Sequence, residues 1–441
     1  MVKNSLRKII RHCDYYSVCH CEQSAAIHIS KNNLTHRLPH LLLRSFLAIT
    51  VIFLTTNVYS QTVNLKYTGN DNYILTERTD LRRYDNGKYV GLTSREIKAY
   101  ILAEENKSQD VFCYDGNFYV LEKTVRSLKN VSPTFNDAIP SVFEISKEGE
   151  LFMKEDNGYP SFRSFPSFPK TKIKIGDSWE AVATRTVDPL NKSVFTRIPL
   201  YIRYTYLKDE VRDGEDVYLI KAEWATRYGN AIIQKEGDET PRFDVAGDPI
   251  LVSATGRHSA TMHISKKTGR AIVIRDSVDE TFSYKDGKNI QFKGTISLFT
   301  EYPPFVEKEK IIPVVEKVPE VRQEPSSSGL KIILENLRFK ADSAELLQGE
   351  EERLDRIAAS LKLASASLFL VEGHTASTGN ERGEKQLSLE RAHSIVEELT
   401  KRGISMEKFI CKGSGSEKPI ATNDSPDGRA KNRRVEITIL E

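Results

Sequence analysis

From Gln61 to about Pro303, apolar and polar residues alternate with a period of two, in runs broken by Gly-containing pairs. Such runs place alternate side chains on opposite faces of a strand, and Gly accepts the positive φ of a tight hairpin turn. Asn86-Gly87 separates Leu81–Tyr84 from Lys88–Leu92, and Asp115-Gly116 separates Val111–Tyr114 from Phe118–Thr124. Lys147-Glu148-Gly149 lies between Val142–Ser146 and Leu151–Lys154, and Asp213-Gly214 between Ile202–Leu207 and Asp216–Trp224. The last of these strands sets Tyr218, Ile220, Ala222 and Trp224 on one face. His258–Ser265 and Arg270–Asp276 flank Gly269, and Asn289–Thr300 closes the series. The pattern predicts an antiparallel meander, curled or closed to bury one face. Tyr159–Pro169 interrupts it with three prolines and three phenylalanines, a composition excluded from a central strand. That segment reads as a linker or as a strap that packs its Phe residues on a neighbour. With a boundary there, 61–169 and 170–302 are two β-rich domains.

Beyond residue 330 the period changes. Lys331–Phe339 reads as a strand, and Gly349–Lys362 as a helix with Leu354, Ile357, Ala358 and Leu361 inward. Leu368–Val371 is a second strand, and Lys385–Arg402 a second helix that ends on Lys401, Arg402 and Gly403. Phe409–Cys411 and Val435–Leu440 supply further strands. Residues 303–329 contain five prolines, alternating Glu and Lys, and a Ser-Ser-Ser-Gly end. They read as an extended tether spanning up to roughly 80 Å. The alternative is an ordinary spacer with Ile311-Ile312 and Val314-Val315 packed on a neighbour.

Strand, polar Gly-containing loop and helix follow one another through Val371–Ala392, half of an α/β unit whose ligands sit where strands end. Leu387 and Arg391 lie one turn apart on the helix, so a planar guanidinium stands beside an apolar contact. Three separated motifs run in order: Gly373-His374-Thr375-Ala376-Ser377-Thr378-Gly379, Leu387-Ser388-Leu389-Glu390-Arg391-Ala392, and Asn432-Arg433-Arg434-Val435-Glu436. Together they resemble the OmpA-like (OmpA/MotB/Pal) peptidoglycan-binding domain over 330–441. The resemblance implies a mixed sheet with two main helices covering one side. It also implies non-catalytic attachment to a peptidoglycan stem peptide. Arg391 would take a stem carboxylate, Leu387 the aliphatic part and Thr375 would orient the stem, with Phe339, Asn432 and Arg433 on the binding rim. The alternative for Arg433 and Arg434 is that they brace an acidic loop.

One position departs from the family pattern. The Asp that follows Gly-His-Thr, which holds the ammonium of the stem's diamino acid, is Ala376 here. A hydrogen bond to a charged group contributes about 1.5–3 kcal/mol, so its loss predicts stem binding weakened about ten- to a hundredfold. Glu381 and Glu384 are candidate substitutes for that carboxylate. The rival reading is a degenerate OmpA-like protein that no longer binds peptidoglycan and serves as a protein- or lipid-binding envelope module.

Composition narrows the remaining classes. The chain has 441 residues, enough for two or three cores, and a net charge of +3 with both signs interspersed, which argues against a nucleic-acid partner. Ser45–Thr56 is an uncharged apolar run after Arg44, followed by Val58-Tyr59-Ser60 before Gln61. That layout predicts a signal peptide in 1–60, export to the periplasm and association with the outer membrane. No Cys follows the run to carry a lipid anchor. Residues 1–40, with Cys13, Cys19 and Cys21, read as an over-extended start. The β runs are short and charged, which favours soluble β domains over a membrane barrel, since a charge on a lipid face costs ~2–4 kcal/mol. Those domains would contact envelope proteins or lipid. No metalloprotease, phosphate-loop or nucleophile-elbow motif occurs, and His258 and His263 are expected on opposite faces. No catalytic residue, metal or cofactor is therefore assigned, and Gly413–Glu417 reads as a bend after a strand.

Overall fold

The protein is described from a computed structural model, covering 62–68, 71–105, 108–125, 134–135, 138–229, 246–302, 308–326 and 329–440. The signal-peptide and early-start expectations lie outside those residues. The first sheet contains β1 (Tyr73–Asp85), β2 (Lys88–Ala103), β3 (Val111–Val125), β4 (Thr134–Phe135), β5 (Ile139–Ser146), β6 (Leu151–Glu155) and β7 (Phe162–Arg163). It continues through β8 (Ser178–Val187), β9 (Thr196–Arg212), β10 (Glu215–Gly229), β11 (Leu251–Ser265), β12 (Ala271–Tyr284) and β13 (Asn289–Glu301). Its order is β6-β5-β3-β2-β1-β13-β12-β11-β10-β9-β8-β7, with β4 on β3, and neighbours are antiparallel.

Thirteen strands thus form one near-barrel, not two domains divided at residue 169. Pairing of β1 with β13 joins the two halves, and the remaining edges β6 and β7 are connected directly by residues 156–161. The Pro-rich segment is the strap: Phe162 and Phe168 are buried, and Phe165 meets Trp224 edge-on at 5.3 Å. The turn expected at Asp115-Gly116 is absent, because β3 runs straight through it. There Gly116 faces Ile101, whose Cδ1 would lie 2.3 Å from any added Cβ. The inward face is mostly apolar, with Tyr204, Ile220, Ala222, Met262 and Ile274 in one core. It also buries charge: Arg185 pairs with Glu280 at 2.7 Å, and His258 sits between Asp276 at 2.7 Å and Glu280 at 3.4 Å. His263 faces the other way, 3.5 Å from Glu210.

The C-terminal region comprises α1 (Lys308–Val315), β14 (Val321–Ser326), β15 (Gly329–Leu334), α2 (Glu351–Lys362), β16 (Phe369–Gly373) and α3 (Glu381–Lys401). It ends with β17 (Phe409–Gly413), α4 (Pro426–Asn432) and β18 (Val435–Leu440). A mixed sheet of order β14-β15-β18-β16-β17 forms, with only β16 and β17 parallel. The expected tether is corrected here. Ile311, Val315 and Val318 are buried in the domain core, and β14 pairs with β15. Their spacing of four and three residues places one apolar stripe against that core, which outweighs the extended preference of the prolines.

Helices α2 and α3 cover one face of this sheet, their Leu354, Ile357, Leu361, Ile395 and Leu399 entering its core. The other face is covered too. Leu368, Ile410 and Leu440 pack on Ile74, Tyr100 and Tyr119 from the outer side of the large sheet. Lys98, 3% exposed, donates to the Glu407 carbonyl across that junction, and Lys408 pairs with Glu301 at 2.8 Å.

Candidate functional site

The loop between β16 and α3 carries the first motif, and close packing explains its glycine. A Cβ on Gly373 would lie 2.0 Å from the Ser388 carbonyl, and one on Gly413 would lie 2.3 Å from that of Lys385. Only glycine lets both strand ends touch the helix backbone. The loop is then tied by its backbone: His374 N–H donates to Arg434 O at 2.9 Å and Thr375 N–H to Gly415 O at 2.8 Å. Asn380 caps α3 by accepting from Gly383 N–H at 3.1 Å.

Arg391 is held in two ways. Its guanidinium lies over the Phe339 ring at 4.9 Å, and Nε donates to the Ser343 carbonyl at 3.1 Å. Phe339 is itself bridged to Leu346. The two terminal nitrogens have no hydrogen-bond partner among the described residues. Burial and the neighbouring Arg433 guanidinium make Arg391 less basic than a free arginine, with Asp342 opposing. Two cations this near one another favour the arrival of an anion. Leu387, half-buried, is one turn before Arg391, and Arg433 is exposed. Thr375 is buried, and its hydroxyl has no partner. Ala376, 7% exposed, brings no carboxylate of its own to the loop.

Two sequence expectations change. Glu384 does not turn toward Arg391: it accepts from the Thr378 N–H and hydroxyl and from the Ser416 hydroxyl, closing the loop on itself. Burial would raise its carboxyl, but these donors lower it below the usual range. Glu381 is exposed in the first turn of α3. Asn432 is 1% exposed, and its amide is spent on Ile420 N–H, Ala421 N–H, Ala421 O and Asn423 Oδ1. It shapes the rim from behind.

Sequence reasoning missed the ionic layer beneath the loop. Glu372 accepts from Ser414 and from Lys418 at 2.8 Å, and Glu436 pairs with Arg434 at 2.7 Å and Lys331 at 3.0 Å. His374 Nε2 stands 3.7 Å from Glu436. Burial opposes ionisation of Glu436, yet His374, Arg434 and Lys331 hold its carboxyl well below the usual carboxylate range. Glu372, His374 and Glu436 bring three potential ligand atoms within 4.8 Å of one another. Three cations already neutralise the two carboxylates, so this chemistry suits an internal brace better than a metal ion. The alternation of Arg434 and Glu436 at the start of β18 was the available signal.

Comparison with known proteins places relatives on the C-terminal stretch. Residues 338–433 match the OmpA family. The peptidoglycan-binding protein ArfA of Mycobacterium tuberculosis is 39% identical over 103 residues, covering 23% of this chain and 32% of that protein. The match therefore spans about a third of that relative's own length. Outer membrane protein A of Bordetella avium is 32% identical over 133 residues, covering 29% of this chain and 69% of that protein. An outer membrane protein structure from Borrelia burgdorferi is 33% identical, covers 27% of this chain and 97% of its own, and superposes with a TM-score of 0.24. The shared stretch is the one that builds the Arg391 loop, and through it the chain belongs to the OmpA family.

Proposed function

We propose that the C-terminal domain attaches the protein non-covalently to peptidoglycan, without catalysis, in the periplasm at the outer membrane. The observation that carries this is the posture of Arg391: Nε fixed by Ser343 O, plane fixed by Phe339, terminal nitrogens unengaged, and Arg433 alongside. Such a fork receives a stem carboxylate, Leu387 packs on the aliphatic part, and the loop at Thr375 orients the stem. Ala376 leaves the ammonium end without its carboxylate, so binding is weaker or directed to a different diamino residue. Co-sedimentation of the exported chain with purified cell wall tests this. The natural protein should pellet, Arg391→Ala should lose about tenfold or more in affinity, and Ala376→Asp should gain. Equal pelleting by Arg391→Ala sinks the proposal. The alanine at 376 also supports a second reading, a domain kept as a protein- or lipid-binding envelope module. That reading prevails if only Ala376→Asp pellets.

A further inference from the structure

The interior of the large sheet holds a cavity of about 330 Å³, in the range of small-molecule sites. Its floor bears both signs of charge. Glu77 and Thr79 point into it from β1, and Arg95 enters from β2, where it pairs in register with Thr79. Arg185 and Glu280, bonded to each other at 2.7 Å, complete the floor. Glu77 is 8% exposed, its hydrogen-bond partner is the neutral Ser161 hydroxyl, and it makes no ion pair among the described residues. Arg185 is within electrostatic reach of Glu77 but is bonded to Glu280, so an arriving ammonium would give Glu77 a direct partner. Arg95 lies over the Tyr159 ring at 5.7 Å, and the Thr186 hydroxyl, in a residue 5% exposed, has no partner. Val90, 45% exposed, Leu190 and Phe195 add apolar surface to a mouth that also carries Arg83, Asp85 and Asp188.

We propose that this cavity binds a small zwitterion with an apolar body, namely an amino acid or short peptide with free termini. Its ammonium would meet Glu77, its carboxylate Arg95, and its side chain the apolar surface of Val90, Leu190 and Phe195. The alternatives fit less well. A simple anion would face Glu77 and Glu280, and a simple cation would face Arg95 and Arg185. A hydrocarbon would strip water from a charged floor and return nothing to it. The site is separate from Arg391, so it stands or falls apart from wall attachment.

Calorimetric titration of the exported chain with alanyl-alanine, leucyl-leucine and phenylalanyl-phenylalanine tests the proposal, beside N-acetylated and C-amidated forms and decanoate. At least one free dipeptide should bind, and acetylation or amidation should weaken it tenfold or more. Glu77→Gln should remove the penalty of acetylation. Val90→Arg, at an exposed rim position, should block entry with the thermal unfolding curve unchanged. The proposal is overturned if no free dipeptide binds, if blocked and free forms bind alike, if decanoate binds in their place, or if both variants bind as the parent does.

Discussion

Replacing Arg185 with Met isolates the energetics of charge inside the large sheet. Arg185 lies over the Phe162 ring at 5.3 Å, so Met keeps an apolar contact there while removing the countercharge of Glu280. Burial alone would push Glu280 up, but Arg185, His258 and Thr226 more than offset that and leave its carboxyl at about 2, against an ordinary 4.5. That difference corresponds to about 3 kcal/mol in favour of the ionised form. It matches the 3–5 kcal/mol typical for breaking a buried pair. For a unit this large the fall in Tm at neutral pH is roughly 6–20 °C. The parent's stabilisation is present above the unfolded carboxyl value and is lost as pH falls toward 2. The gap between parent and variant should therefore narrow below about pH 4.5. Adding Glu280→Gln should restore part of the loss, since no charge is then stranded. Thermal unfolding followed by near-UV circular dichroism measures all three proteins. A loss under about 1 kcal/mol, or a double variant no more stable than Arg185→Met alone, refutes the reasoning.

Gly373→Ala should drive α3 away from β16, costing more than about 2 kcal/mol of stability in denaturant melts; a neutral result would contradict the 2.0 Å approach. Glu436→Gln leaves Arg434 buried without its partner. It should cost about 2–4 kcal/mol at pH 7, the deficit fading as pH drops below the ordinary carboxylate range; urea unfolding at pH 7 and pH 3 checks this. Lys98→Met removes the cation that pairs with Glu96 on its own strand and reaches Glu407 O across the junction. A single calorimetric transition in the parent should separate into two, and an unchanged single peak would show that apolar contacts alone suffice.

Most strands were legible because their hairpins carry Asn-Gly, Asp-Gly or a Gly-ended turn, and because inward positions alternate cleanly, as Ile220, Ala222 and Trp224 do. Asp115-Gly116 misled because glycine in a strand also serves close packing, and a local signal does not tell one use from the other. The division at Tyr159–Pro169 misled for a related reason: prolines exclude a central strand, but a strap lying inside a sheet satisfies the same constraint. In 303–329, composition outweighed the Ile311, Val315, Val318 stripe, which only the tertiary core makes decisive. At the candidate site, motif spacing placed Arg391 and Leu387 together. Glu384 and Asn432 were misread because their hydrogen-bond partners lie on loops distant in sequence, at Ser416 and at 420–423.

The second face of the C-terminal sheet, seated on Ile74, Tyr100 and Tyr119, changes what a grip on the cell wall would mean mechanically. A slack leash would let the large sheet wander while its anchor stayed put. Here a pull on Arg391 passes through β16 and β17 into β1–β3 by way of the packed side chains at that junction. The cavity mouth at Val90 would keep one bearing toward the mesh that holds the molecule.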